Sequence, residues 1–216
     1  MSLVVRTLSD QLVTLVRDRI LSGRVPANAA IRQDALASEL GISKIPLREA
    51  LARLEQEGLL QSQANRGFFV RALSTAEAEE VYALRLKLEP ETAALGAERA
   101  TEDDHHVARA ALAALRAAMQ DDASTVPARN RAFHLALLRP SGQSLTTSFL
   151  ERLHVLAERY VRKHLEPTGR ETRAEDEHRT MFDAWLARDG DAVRRLTAAH
   201  IQGALDDLRV QLDAAG

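Results

Sequence analysis

The chain has 216 residues, of which 45% are hydrophobic and 28% charged, and its formal charge at pH 7 is −2. That length holds one large domain or two small ones, and a near-neutral charge excludes a protein that coats nucleic acid indiscriminately. With no cysteine, a disulfide frame, a thiolate metal site and a cysteine nucleophile are excluded as well. The charge is unevenly placed: residues 1–73 carry ten Lys and Arg against seven Asp and Glu, and the remainder nineteen against twenty-four. A weakly basic head on an acidic body suits site-specific binding of nucleic acid through one face. No apolar run reaches the roughly 18 residues of a membrane span. The opening MSLVVRTLSD lacks the apolar core of a signal peptide. A cytoplasmic protein with no membrane partner is expected.

In chain order, Ser9 or Asp10 is placed to cap a first helix ending near Leu21, with Leu12, Leu15, Val16, Arg19 and Ile20 on one face. Ser22-Gly23 closes it, and Val25 to Asn28 is a loop. Arg32 to Val70 then reads as helix, tight turn, helix and hairpin. The first of these helices is DALASEL, with Leu36 and Leu40 one turn apart and Ala37 beside them. Gly41 is its left-handed stop, and Ser43 sits where an N-cap belongs, its hydroxyl able to accept from the next turn. Pro46 falls in that first turn, where a missing N–H costs little. Leu47, Ala50, Leu51 and Leu54 recur at i, i+3, i+4, i+7 as one buried stripe, with Lys44 and Arg48 on another face. Leu59-Leu60-Gln61 and Phe68-Phe69-Val70 form a hairpin whose turn is Asn65-Arg66-Gly67. Taken singly, Lys44, Arg48 and Arg66 would be solvated surface charge. Standing at the places where a winged helix meets DNA, they mark a DNA-binding head.

The run Leu40-Gly41-Ile42-Ser43-Lys44-Ile45-Pro46-Leu47-Arg48-Glu49-Ala50-Leu51, followed by Asn65-Arg66-Gly67-Phe68-Phe69-Val70, resembles the winged helix of the GntR family of bacterial transcription regulators. The family pattern there is Leu-Gly-Val-Ser-Arg-Thr-Pro-Val-Arg-Glu-Ala-Leu. The resemblance puts Arg48 on a DNA-contacting arginine, puts Lys44 in place of a second one, and matches Arg66 and Gly67 to the wing. A lysine there exchanges a bidentate fork for a point charge. The DNA-contacting set is then Arg32, Ser43, Lys44, Ile45, Pro46, Arg48, Arg66 and Gly67.

Ser74-Thr75-Ala76-Glu77 is a capping box that opens a new helix, and it sets the boundary between a head at 1–73 and a body at 74–216. The body is helical by pattern. A first long helix is amphipathic through Val81, Leu84, Leu88, Thr92 and Leu95, with a kink expected at Pro90. Helices follow at Thr101 to Gln120, Pro127 to Leu138, 145–165, Arg173 to Arg188 and Asp191 to Leu212. Pro167-Thr168-Gly169 and Asp189-Gly190 separate the last three, and Pro127 to Leu138, apolar toward its end, belongs at the centre. The fold class is mainly α: a winged helix-turn-helix with a small β-hairpin wing, then an antiparallel all-α bundle.

All seven histidines lie after residue 100. His105 and His106 follow acidic residues at a helix start and are assigned to the surface. His134, His178 and His200 share helix faces with apolar residues and point inward. Each alone reads as a hydrogen-bonded core histidine, whereas three converging imidazoles could hold Zn, Ni or Mn. Spacing alone leaves both readings open. Here the body resembles the FCD domain, the all-α effector domain of the FadR-like branch of the same family. That resemblance implies a metal set of Asn130, His134, His178 and His200, with Asn130 replacing the Asp of the family's Asp-x-x-x-His pair. A neutral amide still ligates but supplies no charge, so weaker affinity is expected. Arg85, four residues before Glu89, reads either as half of a water-facing helix pair or as a clamp for a ligand carboxylate. His154, on an apolar stripe with Leu150, Leu153, Ala157 and Val161, is assigned to the same effector pocket.

These readings converge on a homodimeric transcription regulator and repressor, not an enzyme. It would bind a pseudo-palindromic operator and respond to a small carboxylic acid, with one divalent metal in the body. Two other classes stay open: a metal-dependent hydrolase fused to a DNA-binding head, and a ligand-independent architectural DNA-binding protein.

Overall fold

The computed structural model describes residues 7–72, 74–165 and 170–213, with side chains described for all of these except 161–165, 170–171 and 212–213. The expected helix stop at Pro167-Thr168-Gly169 lies outside the described residues, as does Leu73. Nine α-helices and two strands occur among the described residues, and the chain divides into two compact units, Met1–Leu73 and Ser74–Gly216.

The first unit contains α1 (Leu8–Leu21), α2 (Gln33–Leu40), α3 (Lys44–Gln56), β1 (Leu60–Gln63) and β2 (Gly67–Val70). Thr7 caps α1 rather than Ser9 or Asp10: its hydroxyl accepts from the Asp10 N–H at 3.1 Å, while the Asp10 carboxylate accepts from the Thr7 N–H at 2.9 Å. Asp10 is thus the distal half of a capping box, three residues into the helix. Leu12, Val13, Val16 and Ile20 pack α1 against the Leu47, Ala50, Leu51 and Leu54 stripe of α3, which is wholly buried, while Leu15, Leu36 and Leu40 are only half-buried. Two ion pairs fix the crossing from outside, Arg17 on Glu57 at 2.7 Å and Arg53 on Asp10 at 2.6 Å. Gly41 ends α2 at φ +63. The strands pair antiparallel with Leu60 opposite Val70 and Gln63 opposite Gly67, a register one residue later at the start than expected. The expected loop before Ile31 is also part of this sheet edge: Ala30 bridges Phe69, and the Ile31 N–H donates to the Phe68 carbonyl at 2.8 Å.

The second unit contains α4 (Thr75–Arg99), α5 (Glu102–Asp121), α6 (Val126–Leu138), a 3-10 turn (Arg139–Ser141), α7 (Ser144–Leu165), α8 (Arg170–Leu186) and α9 (Gly190–Asp213). Ser74 caps α4 by accepting from the Glu77 N–H at 3.3 Å. The Glu77 carboxylate does not return to the cap; it accepts instead from Arg159 at 2.9 Å and from the Tyr160 hydroxyl at 2.8 Å, tying the start of α4 to α7. Pro90 lies inside α4 without ending it. The buried face of α4 is the expected one only in part, at Val81 and Thr92. Leu84, Leu88 and Leu95 are half-buried, while Val81, Tyr82, Arg85, Glu89, Thr92, Ala93, Gly96 and Ala97 are buried. An apolar search misses this stripe by one residue because two charges stand in its middle.

α6 is buried along Phe133 to Leu138, as expected of a central helix. Gly96 is what admits it so close to α4, since a Cβ there would clash with the Leu137 carbonyl, which also accepts from Trp185 Nε1 at 3.2 Å. Helix propensity alone would make Gly96→Ala stabilising by about 1 kcal/mol. The clash is with backbone and cannot rotate away, so the opposite sign is expected, a loss of about 1–3 kcal/mol in thermal unfolding.

Candidate functional site

On the first unit, α3 turns Ser43, Lys44, Ile45 and Arg48 outward, all exposed (Ile45 to 71%), with Pro46 half-buried beside them. Ser43 is the N-cap residue at φ −75, ψ 160, yet its hydroxyl makes no capping bond. The residue three positions on is Pro46, which has no N–H to donate, so one of the two usual partners of a cap hydroxyl is missing. The Ser43 hydroxyl therefore remains available at the positive end of α3, where an anion is favoured. Lys44 is ion-paired with Asp34 of α2, both of them exposed, so its charge is partly answered within the protein. Arg48 is exposed, and neither it nor Arg66 enters an ion pair among the described residues. Arg66 sits at the wing tip between Asn65 (φ +60) and Gly67 (φ +87), with its guanidinium 5.2 Å from the Phe69 ring centroid. A Cβ on Gly67 would meet Gln33 Nε2 at 3.2 Å, so the wing lies against the start of α2, where exposed Arg32 is the N-cap residue. Gly67 of the wing and Lys44 of α3 thus both lie against the first turn of α2, through Gln33 and Asp34.

Inside the second unit, five helices each contribute to one polar cluster. α4 contributes Arg85 and Glu89, α6 His134, α7 His154, α8 His178 and α9 His200, all of them buried. The donor atoms of His134, His178 and His200 lie within 4.8 Å of one another, and so do those of Glu89, His134 and His154. The His178 and His200 ring centroids are 4.6 Å apart, and those of His134 and His200 are 5.2 Å apart. Arg85 donates to Glu89 through Nε at 2.8 Å and Nη2 at 3.3 Å. The water-facing reading of that pair is overturned: Arg85 is 4% and Glu89 1% exposed. The Nε and Nη2 edge of the guanidinium is already given to Glu89, and its carbon lies 5.3 Å from the Tyr82 ring centroid. Glu89 is in turn 2.9 Å from His134 Nδ1 and 3.2 Å from His154 Nε2. Nearby, Arg131 pairs with buried Glu158.

Burial sets the protonation of the cluster. It presses His134 down to about 3 against the pull of Glu89, and it lowers His154 with the help of Arg85. Burial alone would raise the Glu89 carboxyl, but Arg85, His154 and His134 outweigh it and hold it well below the usual range. At neutral pH the cluster therefore holds an ionised Glu89 carboxylate, the Arg85 guanidinium and neutral imidazoles at His134 and His154, the form in which histidine ligates metal. His134 Nε2 is buried with no hydrogen-bond partner, as expected of a nitrogen facing a ligand. A tetrahedral ion with bonds of about 2.1 Å spaces its donor nitrogens about 3.4 Å apart, so the three imidazoles fit one with a small inward movement. Asn130 lies one turn before His134 on α6 and is half-buried.

His105 is a correction. It is half-buried, and its ring meets Trp185 edge-on at 5.4 Å, whereas His106 is exposed as expected. The sequence reading missed Glu89 as a partner of two histidines, and also Glu177, whose Oε2 is 2.8 Å from His200 Nδ1. The signal for Glu89 was present, since Arg85, Glu89, Thr92 and Gly96 recur at i, i+4, i+7, i+11, but their polarity disguised a buried stripe. Because Arg85 and Glu89 are buried together, Arg85→Ala strands a buried carboxylate and is expected to destabilise the protein by about 3–5 kcal/mol in chemical denaturation. Arg173→Ala, which removes a half-exposed pair with Asp207, is expected to cost under about 1 kcal/mol.

Comparison with known proteins places these two sites in context. The model of the family described as bacterial regulatory proteins, gntR family, matches residues 8–70, and that of the FCD domain matches residues 80–203. The uncharacterized HTH-type transcriptional regulator BphR of Paraburkholderia xenovorans is 29% identical over 214 residues, covering 95% of this chain and 86% of that protein. The HTH-type transcriptional repressor RspR of Escherichia coli is 25% identical over 208 residues, covering 93% and 89%. Among solved structures, E. coli McbR/YncC superposes with a TM-score of 0.83 at 24% identity, covering 95% of this chain and 99% of that one.

Proposed function

This chain belongs to the gntR family of bacterial regulatory proteins and carries an FCD domain, and from that membership we propose that it is a cytoplasmic, homodimeric repressor whose hold on a pseudo-palindromic operator is set by a small carboxylic acid. Its homologues are HTH-type transcriptional regulators rather than enzymes, which disposes of the hydrolase alternative. No described helix is long and apolar enough to cross a membrane. Repression is supported by RspR, which is named a transcriptional repressor.

The observation that carries the ligand-responsive half of the reading is the convergence of three buried imidazoles from α6, α8 and α9. Surface residues do not need such an arrangement, and a purely structural core would fill it with carbon. His134, His178 and His200 would hold one divalent ion, of which zinc and nickel suit imidazole best. When bound, that ion supplies an open Lewis-acidic position for the effector carboxylate. Arg85 and His154 would flank the effector on the α4 and α7 side, and the effector would favour whichever arrangement of the body it fits better. On the first unit, Arg48 and Lys44 meet the major groove with Ser43, Ile45 and Pro46 beside them. Arg66 and Gly67 reach the adjacent groove or phosphate, and Arg32 adds a phosphate contact.

Two measurements test this. Protein purified without chelator is expected to hold one equivalent of metal, which His134→Ala loses. A metal-free wild type that stays so after dialysis against zinc, nickel and manganese would end the metal reading. For DNA, a site is selected from a random duplex pool and its affinity is followed against salt. Arg48→Ala and Arg66→Ala are each expected to lower the salt slope by about one and to weaken binding by about 1–3 kcal/mol. An unchanged affinity and slope in both would displace α3 and the wing from the interface. Binding with no selected sequence, insensitive to carboxylic acids, would favour the architectural alternative.

A further inference from the structure

In the form that ligates a metal an imidazole carries no charge, and Asn130, one turn before His134 on α6, supplies none either. Yet His134 is not alone. Its Nδ1 lies 2.9 Å from the Oε1 of Glu89, a carboxylate exposed to only 1%. An ionised carboxylate can only accept, so Nδ1 bears the proton, and Nε2 is left as the lone pair that lacks a hydrogen-bond partner. The same device recurs on α9, where Glu177 Oε2 stands 2.8 Å from His200 Nδ1. Two of the three imidazoles are thus turned by a carboxylate so that Nε2 is the donor.

Glu89 also belongs to a second trio with His134 and His154, whose donor atoms lie within 4.8 Å of one another. A second cation is opposed there, because Arg85 already presents its guanidinium to both Glu89 oxygens at 2.8 and 3.3 Å. The carboxylate serves a cation through His134 instead of binding one itself.

We propose that Glu89 is a positioning residue for the metal site, holding His134 in the Nε2-donor tautomer and supplying through the imidazole the negative charge that Asn130 does not. This rests on the metal reading above. Asn130 and His134 are one turn apart on one face of α6. A carboxylate at 130 would add charge one turn from the same imidazole.

The test is zinc affinity of the full-length protein, measured by competition with a chromogenic chelator. Glu89→Gln keeps an oxygen acceptor and removes the charge, and it is expected to weaken zinc binding 10- to 100-fold. Asn130→Asp in the wild-type background is expected to tighten it about tenfold, and Glu89→Gln with Asn130→Asp to return near wild type. Because that return is also the product of the two single effects, the discriminating readout is histidine nitrogen NMR of the zinc-free protein, where a merely structural Glu89 would leave the Nδ1-protonated form of His134 unchanged in Glu89→Gln. If the wild type binds no zinc, the metal reading fails. If the wild type binds zinc and Glu89→Gln binds within twofold of it, the metal reading stands and the role of Glu89 is overturned. Should Glu89→Gln not fold, the His134 tautomer of the zinc-free wild type decides, and a ring protonated on Nε2 overturns the proposal.

Discussion

Burying Arg85 and Glu89 side by side is the constraint around which the body is built. Each charge, removed from water, is penalised by several kcal/mol unless it finds good partners. The pair satisfies part of that demand by itself, with Arg85 donating twice to Glu89. The remaining acceptor capacity of Glu89 falls on His134 of α6 and His154 of α7. Three helices are thereby held in a register that apolar packing alone would not specify, because a displaced turn leaves a buried carboxylate unanswered. Gly96 lets α4 and α6 come close enough for that contact, and the Trp185 indole closes the same contact from α8.

The same burial prepares the histidines. A solvated imidazole spends part of its time protonated near neutral pH, and a protonated ring neither ligates nor accepts. In the core of the bundle His134 is pressed down to about 3, so its free nitrogen is constantly available. Glu89 stays ionised because Arg85 and the two histidines overcome the effect of burial. Glu89 and His134 are therefore held in one arrangement, and a preorganised group of this kind loses less of a ligand's binding energy to ordering side chains.

The DNA-binding unit obeys the reverse rule. Its charges are outside and its core is purely apolar, with α1 and α3 joined by leucine, valine and isoleucine. Ion pairs such as Arg17 with Glu57 lie at the edge, where they orient more than they stabilise. Pro46 has a double effect on α3. It sits in the first turn with a preset φ, and by lacking an N–H it removes one of the two usual partners of the Ser43 hydroxyl. Lys44, in contrast, is partly answered by Asp34, so Arg48 and Arg66 are the less encumbered cations of that surface.

Local pattern was enough for much of this. The stripe from Leu47 to Leu54, the Gly41 stop, the Arg66-Gly67 wing tip and most helix limits follow from periodicity and from backbone preferences of single residues, which act within a turn or two. The three inward histidines were also legible, since each shares a helix face with apolar neighbours. Tertiary structure decided what no local rule contains. The charged stripe of α4 was read one residue out of phase because apolar periodicity treats Arg85 and Glu89 as surface. The edge bridge from Ala30 to Phe69 and the closeness that Gly96 permits are meetings of segments far apart in sequence. Which apolar residues face inward is written along most of the helices; that four helices bring Glu89 to His134 and Glu177 to His200 depends on how they pack, and only the folded chain settles it.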